Sequence, residues 1–284
     1  MTAKILSGKE PAQAIKDEVS ERVAALGKRV GLATVLVGDD PASEVYVRNK
    51  HKAAADVGMY SYDKHLPTET PQEEVEALVR NLNADPAVDA ILVQLPLPEG
   101  MDPDAIIDLI DPGKDADGLH PHSLGLAVLE RRGAVPATPQ GIMRLLDFYD
   151  IETEGKVAVI VGRSRLVGRP MGLLLGAKAA NATVLNAHSR TVDLPAVTAM
   201  ADILVVATGS PGLVTAEGVK EGAVVVDVGI NRVDGKLVGD VDFDSVAEVA
   251  GAITPVPGGV GPMTIASLLL NTVGLAEARA GTAG

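Results

Sequence analysis

A chain of 284 residues has room for two ordinary α/β domains, and with 2% aromatic residues and no Trp its core must be filled by Ala, Val, Ile and Leu. A formal net charge of −13 argues against a general nucleic-acid-binding surface, which needs a basic patch to displace counterions from phosphates. The absence of Cys excludes disulfides, thiolate metal sites and a cysteine nucleophile. The opening MTAKILSGKEPAQ has no apolar core of signal-peptide length, and no run of about 18 apolar residues is evident, so the expectation is a cytoplasmic protein with no membrane partner.

Apolar runs of strand length stand at Leu32–Val37, Ala90–Leu95, Val157–Val161, Ile203–Ala207 and Ala223–Val228. They alternate with helix-compatible segments, which predicts βαβ units and a mostly parallel sheet. After the first run, Gly38–Val57 reads as a loop and then a helix starting near Ser43 as N-cap. At helical spacing Tyr46, Lys50, Ala53, Ala54 and Val57 share one stripe, so Lys50 is aimed where the apolar residues go. Such a lysine either buries its stem and lifts its ammonium to water, or is buried with a depressed pKa that suits proton transfer at neutral pH.

The run at Ala90–Leu95 carries a polar Gln94, followed by Leu95-Pro96-Leu97-Pro98. Its amide needs partners, and a catalytic amine or the backbone would serve equally. Asp111–Ala137 is rich in Gly, Pro and charge and reads poorly as regular structure. Within it, Asp115 and Asp117 either read the N–H donors of a heterocycle or cap a turn; a metal site is the poorer reading, since further ligands at suitable spacing are not evident. A domain boundary is placed near Thr138, the N-cap of a helix over Pro139–Tyr149.

In the second half, the strand ending at Val161 runs into GRSRLVGRPMGLLL, with Gly162 and Gly168 bracketing a turn before an apolar helix. Such a turn points backbone N–H groups at a phosphate, although the glycine spacing departs from G-x-G-x-x-G and tight packing would also call for glycine. The next strand, Thr183–Ala187, ends in His188-Ser189-Arg190, where an NAD enzyme carries an acid for the ribose hydroxyls. Arg190, Ser189 and Arg163 would instead suit a 2′-phosphate, so NADP is preferred over NAD; the alternative is solvated surface arginines. Two further strand ends, Ala207-Thr208-Gly209 and Val228-Gly229-Ile230-Asn231, fit a ligand over the carboxyl edge of a parallel sheet.

Together these segments resemble the bifunctional methylenetetrahydrofolate dehydrogenase/cyclohydrolase family over nearly the whole chain. The motifs are Tyr46-Val-Arg-Asn-Lys50, Leu92-Val-Gln-Leu-Pro-Leu-Pro98, Lys114-Asp-Ala-Asp-Gly118, Gly162-Arg-Ser-x-x-Val-Gly-Arg-Pro170 and Thr254-Pro-Val-Pro-Gly-Gly-Val-Gly-Pro-Met-Thr264. The resemblance implies an N-terminal α/β substrate domain over 1–138, a Rossmann-like NADP-binding domain over 139–263, and a last helix, 264–284, packed back on the first. It also implies oxidation of 5,10-methylenetetrahydrofolate by NADP and hydrolysis of the methenyl product to 10-formyltetrahydrofolate, in one-carbon metabolism and purine biosynthesis. Carried over by position, Lys50 is the catalytic amine, Gln94 its partner, Tyr46 the ring stacked on the pterin and Asp117 the carboxylate that holds it. Gly162, Arg163, Ser164, Ser189, Arg190 and Ile230 would carry NADP. A homodimer formed through the nucleotide domain is the family expectation.

Overall fold

The computed structural model describes residues 2–281. Its strands are β1 (Lys4–Ile5), β2 (Gly31–Val37), β3 (Tyr60–Leu66), β4 (Ala90–Val93), β5 (Val157–Val161), β6 (Thr183–Ala187), β7 (Ile203–Val206), β8 (Val224–Asp227), β9 (Asn231–Val233), β10 (Lys236–Val238) and β11 (Ala252–Ile253). The helices are α1 (Lys9–Leu26), α2 (Pro41–Asp56), α3 (Gln72–Ala84), α4 (Pro103–Ile107), α5 (Pro121–Val128), α6 (Ala137–Phe148), α7 (Gly168–Gly176), α8 (Leu194–Thr198), α9 (Phe243–Val246) and α10 (Val260–Ala280).

The chain divides into two compact units. One, called the folate-side unit after the resemblance, holds Ala14–Ala137 and the chain from Ile265 on; the other, the nucleotide-side unit, holds the residues up to Gln13 and Thr138–Thr264. The first thirteen residues thus part from the span 1–138 expected for the substrate domain. The reason is β1, whose two residues pair in parallel with Ala252 and Ile253 of β11, too short a strand to show as an apolar run.

The folate-side unit is built on a parallel sheet in the order β3-β2-β4. Every residue of β2 is buried, the continuous apolar reading of a strand covered on both faces. Ala33, Val35 and Val37 face one side, where Val75, Val79 and Leu82 of α3 meet them at spacings of one helical turn. The edge strand β3, YSYDKHL, was not expected; it alternates exposed and half-buried residues and lacks the apolar run that marks its neighbours.

Helix α2 begins earlier than expected. Asp40, not Ser43, is the N-cap: its carboxylate accepts from the Ser43 N–H at 2.8 Å, and Pro41 takes the first turn, where its missing N–H costs nothing. Likewise α6 starts at Ala137, so Thr138 lies inside the helix rather than capping it, with its hydroxyl 3.1 Å from that of Thr264. The stretch Asp111–Ala137 is more regular than its composition foretold, containing a 3-10 turn at Pro112–Lys114 and α5.

The nucleotide-side unit holds a six-stranded, all-parallel sheet in the order β1-β11-β8-β7-β5-β6, plus the antiparallel hairpin β9–β10. From β5 the chain moves outward to β6, then crosses to β7 on the other side. The crevice between β5 and β7 is therefore a topological switch point, where open α/β sheets bind ligands beyond their carboxyl ends. Ile142, Leu146, Met171 and Leu175 of α6 and α7 pack on one face of this sheet with Ala158 and Ile160.

Helix α10 is by length and composition apolar enough to cross a membrane, contrary to the expectation that no such run exists. Yet 61% of the apolar window is buried within the protein, as befits a core helix. Its Asn271 is a tether: the side-chain amide donates to the carbonyls of Ala116 at 2.9 Å and Val135 at 2.7 Å. Asn271→Ala leaves both acceptors unsatisfied and is expected to cost about 2–4 kcal/mol, measured by urea denaturation.

Candidate active site

Two groups of residues gather at carboxyl edges, one in each unit. In the folate-side unit, β2 leads through Gly38 into α2, and β4 leads into Gln94, whose N–H still bonds the Val35 carbonyl at 2.8 Å. The Lys50 side chain is buried, with 4% exposure, and its Nζ donates to Gln94 Oε1 at 3.0 Å. The other end of the amide is tied down, Nε2 donating to the Leu95 carbonyl at 2.7 Å. Gln94 thus lies just past the end of the strand rather than inside it. One turn before Lys50 on α2, the Tyr46 ring lies with its centroid 5.2 Å from the ammonium, within cation–π range.

Burial pushes the Lys50 amine below the ordinary lysine range, and the nearby Asp117 carboxylate only partly opposes this. Asp117 moves the other way. Burial raises its carboxyl above the ordinary value, Lys50 draws it down, and Asp115 raises it further. The result is an amine with a lowered pKa and an acid with a raised one, close enough to influence each other in one low-dielectric place.

The loop that carries Asp117 is pinned on both sides. Lys114 is buried and donates to the carbonyls of Leu82 at 3.0 Å and Asp85 at 2.8 Å, closing the C-terminal end of α3. Asp115 accepts from the His120 N–H at 2.8 Å and the Ser123 hydroxyl at 2.7 Å, so it shapes the turn while Asp117 is left to meet Lys50. At Gly118, with φ +68°, any side chain would overlap the Val135 backbone. Neither aspartate belongs to the one group of metal-ligand residues found among the described residues, Asp39, Glu44 and His65.

In the nucleotide-side unit, Val161 of β5 pairs with Ala187 of β6, and the Gly162 N–H bonds the Ala187 carbonyl at 2.9 Å. This register brings Gly162-Arg163-Ser164 and His188-Ser189-Arg190 off neighbouring strands at one level, with Arg163, Ser164, Ser189 and Arg190 all exposed. Gly162 has φ +135°, and a Cβ there would overlap the Ala207 carbonyl beyond β7; one on Gly168 would overlap Gly162 itself. These glycines let the backbone segments of the turn, the cradle for a phosphate in a dinucleotide site, approach one another so closely. Ser164 Oγ accepts from the N–H groups of Val167 and Gly168 at 3.2 and 3.4 Å, tying the turn to the entry of α7. Ile230, 53% exposed, stands beyond β8 on the same edge. The residues present therefore suit a dinucleotide.

A domain model described as the tetrahydrofolate dehydrogenase/cyclohydrolase catalytic domain matches residues 6–117, and one for the NAD(P)-binding domain of the same enzymes matches 136–280. The chain belongs to the tetrahydrofolate dehydrogenase/cyclohydrolase family. This family member is a two-activity folate enzyme, both oxidoreductase and hydrolase, with an NAD(P)-binding domain. It is 53% identical over 283 residues to the bifunctional protein FolD of Nitratidesulfovibrio vulgaris, covering 98% of this chain and 99% of that one. The crystal structure of the bifunctional FolD enzyme from Campylobacter jejuni superposes with a TM-score of 0.94 at 48% identity, over 98% and 99% of the two chains. That of the Trypanosoma brucei enzyme, complexed with NADP cofactor and an inhibitor, gives 0.93 at 41% identity, over 99% of both.

Two further residues of this folate enzyme escaped the reading of its sequence. Asp227 and Asp240 are buried at the nucleotide edge, and burial pushes the Asp227 carboxyl up to about 6 against three backbone N–H donors. The available signal was an acid closing the apolar run Val224–Asp227. For the cradle, Gly162→Ala is expected to weaken cofactor binding at least about tenfold by strain and overlap, while methenyl hydrolysis stays near wild type. Isothermal titration with NADP beside a hydrolysis assay checks this.

Proposed function

We propose that Lys50, Gln94, Tyr46 and Asp117 do the chemistry on 5,10-methylenetetrahydrofolate and its 5,10-methenyl product, and that Gly162, Arg163, Ser164, Ser189, Arg190 and Ile230 bind NADP in preference to NAD. The reading rests above all on the buried Lys50–Gln94 hydrogen bond. When bound, NADP supplies the acceptor for the hydride that leaves the methylene carbon. Water then adds to the cationic methenyl carbon, the C–N5 bond opens, and 10-formyltetrahydrofolate results.

The chain's own groups manage the protons. A permanently charged lysine would repel a methenyl cation; an amine whose pKa is lowered is neutral for more of the time and takes the proton of the attacking water. Gln94 holds that amine in place without adding charge. Tyr46 offers an aromatic face to the planar pterin, and Asp117 accepts from its N–H donors. The exposed Arg163 and Arg190 give the 2′-phosphate charge-assisted donors that an acidic residue there would deny it. The NADP-bound Trypanosoma brucei relative is in keeping with that preference. We further propose a cytoplasmic homodimer, joined through the nucleotide unit, that supplies one-carbon units for purine biosynthesis.

The absorbance of NADPH formed from methylenetetrahydrofolate by the purified protein tests the first step; no NADPH would overturn it. Lys50→Met is expected to slow methenyl hydrolysis about 10²–10⁴-fold with NADP binding intact, and full hydrolysis in that variant would refute the assignment. In the wild type the pH profile of hydrolysis should rise with pH on a limb below the ordinary lysine range, because deprotonation makes the base and burial lowers the pH at which it occurs. Arg163→Ala with Arg190→Ala is expected to weaken NADP at least about tenfold more than NAD; equal losses would mean that the arginines do not read the 2′-phosphate.

A further inference from the structure

Asp227 closes β8 and Asp240 follows the hairpin β9–β10, yet the two are locked together. Asp227 Oδ1 accepts from the N–H groups of Gly229 and Asp240, both at 2.9 Å, and Oδ2 from that of Val241 at 3.0 Å. Asp240, 0% exposed, reaches back to two loops. Its Oδ2 accepts from the Thr208 N–H at 2.6 Å, the Gly209 N–H at 2.9 Å and the Thr208 hydroxyl at 3.1 Å; its Oδ1 accepts from the Asn231 amide at 2.8 Å. Glycines allow the approach reciprocally: a Cβ on Gly229 would overlap Asp240, and one on Gly239 would overlap Asp227.

An ionised carboxylate wholly removed from water costs several kcal/mol, and an apolar side chain of similar size would be the cheaper way to fill the space. What the carboxylate does that an apolar group cannot is gather N–H groups from two separate strand ends. Thr208 and Gly209 follow β7 next to Ala207, whose carbonyl packs directly against Gly162 of the glycine turn; Asn231 follows Ile230 beyond β8. Both loops lie on the carboxyl edge beside the switch point.

We infer that Asp240 is a positioning residue for the dehydrogenase reaction, its carboxylate fixing the Thr208–Gly209 and Ile230–Asn231 loops at the spacing that NADP requires. Asp227 supports it by orienting the backbone of Asp240 and Val241. The inference rests on reading this edge as the cofactor site; Lys50 and Gln94, the groups proposed for methenyl hydrolysis, are not among the hydrogen-bond partners of Asp240.

The test is a pair of variants assayed for both activities. Asp240→Ala removes the acceptor for four donors and is expected to raise KM for NADP at least about tenfold, with kcat for methenyl hydrolysis within about twofold of wild type. Asp240→Asn keeps one acceptor oxygen, and Asn231 can turn its amide to meet the new NH₂ group, so KM should rise only about two- to fivefold. That grading, with hydrolysis spared in both, supports positioning. A folded variant of either kind with wild-type KM, or a parallel fall of the two activities, overturns it; should the alanine variant not fold, the asparagine variant decides by the same criterion. Wild-type protein that forms no NADPH would instead sink the reading of the cofactor edge.

Discussion

The site depends on a single buried amine facing a neutral partner. Withdrawing an ammonium from water costs several kcal/mol even after the protein relaxes, whereas a hydrogen bond to a charged donor returns about 1.5–3 kcal/mol. Gln94 therefore orients Lys50 but does not offset the loss of hydration, and the amine's pKa falls below the ordinary lysine range. A carboxylate in place of Gln94 would reverse this by holding the proton on. Asp117 is close enough to interact, yet burial weakens its own hold on negative charge, so each group moderates the other. Because their titrations are coupled, the pH dependence belongs to the pair.

Both units use the same architectural device. Parallel strands deliver their following residues to one edge, so groups distant in sequence meet there without long loops. In the folate-side unit β2 and β4 are neighbours, which sets the start of α2 beside Gln94 although Lys50 and Gln94 are 44 residues apart. On the nucleotide side the Val161–Ala187 register does the same for Arg163 and Arg190. The loops are then made rigid by polar groups turned inward: Lys114 and Asp115 under Asp117, and Asp227 and Asp240 under Thr208 and Asn231. Among the described residues, buried charge sits mostly beneath loops of the proposed sites, where it fixes backbone position at some cost in stability.

What could be read from the residues alone follows the strength of the local signal. The buried strands β2, β4, β5, β7 and β8 are apolar runs, and the inward aim of Lys50 follows from helical spacing on α2. Strand β3 was hidden because its residues are exposed or half-buried and so tolerate Tyr, Asp, Lys and His, whereas β4, at the other edge, is wholly buried. β1 was hidden because its two residues gain their structure wholly from β11, almost 250 positions away. Ser43 looked like a cap because the residue type is right, but Asp40 followed by Pro41 makes the stronger start. The pairing of Asp227 with Asp240 depends on how a hairpin folds back, which no periodicity encodes.

A chain of net charge −13 that reads a phosphate has an electrostatic problem to solve, since folates and NADP are themselves anions. At physiological ionic strength the screening length is about 8 Å, so carboxylates spread over the surface contribute little at the cradle. Residues within that radius decide the local potential, and there Arg163 and Arg190 leave adjacent strands, Arg190 at the strand end where an NAD enzyme carries an acid. In the proposed site, local cationic character inside an acidic protein confines anion binding to one edge, while the acidic remainder discourages adsorption of other polyanions. The fold's contribution is to hold those two arginines at one level, which a shift of one residue in the β5–β6 register would destroy.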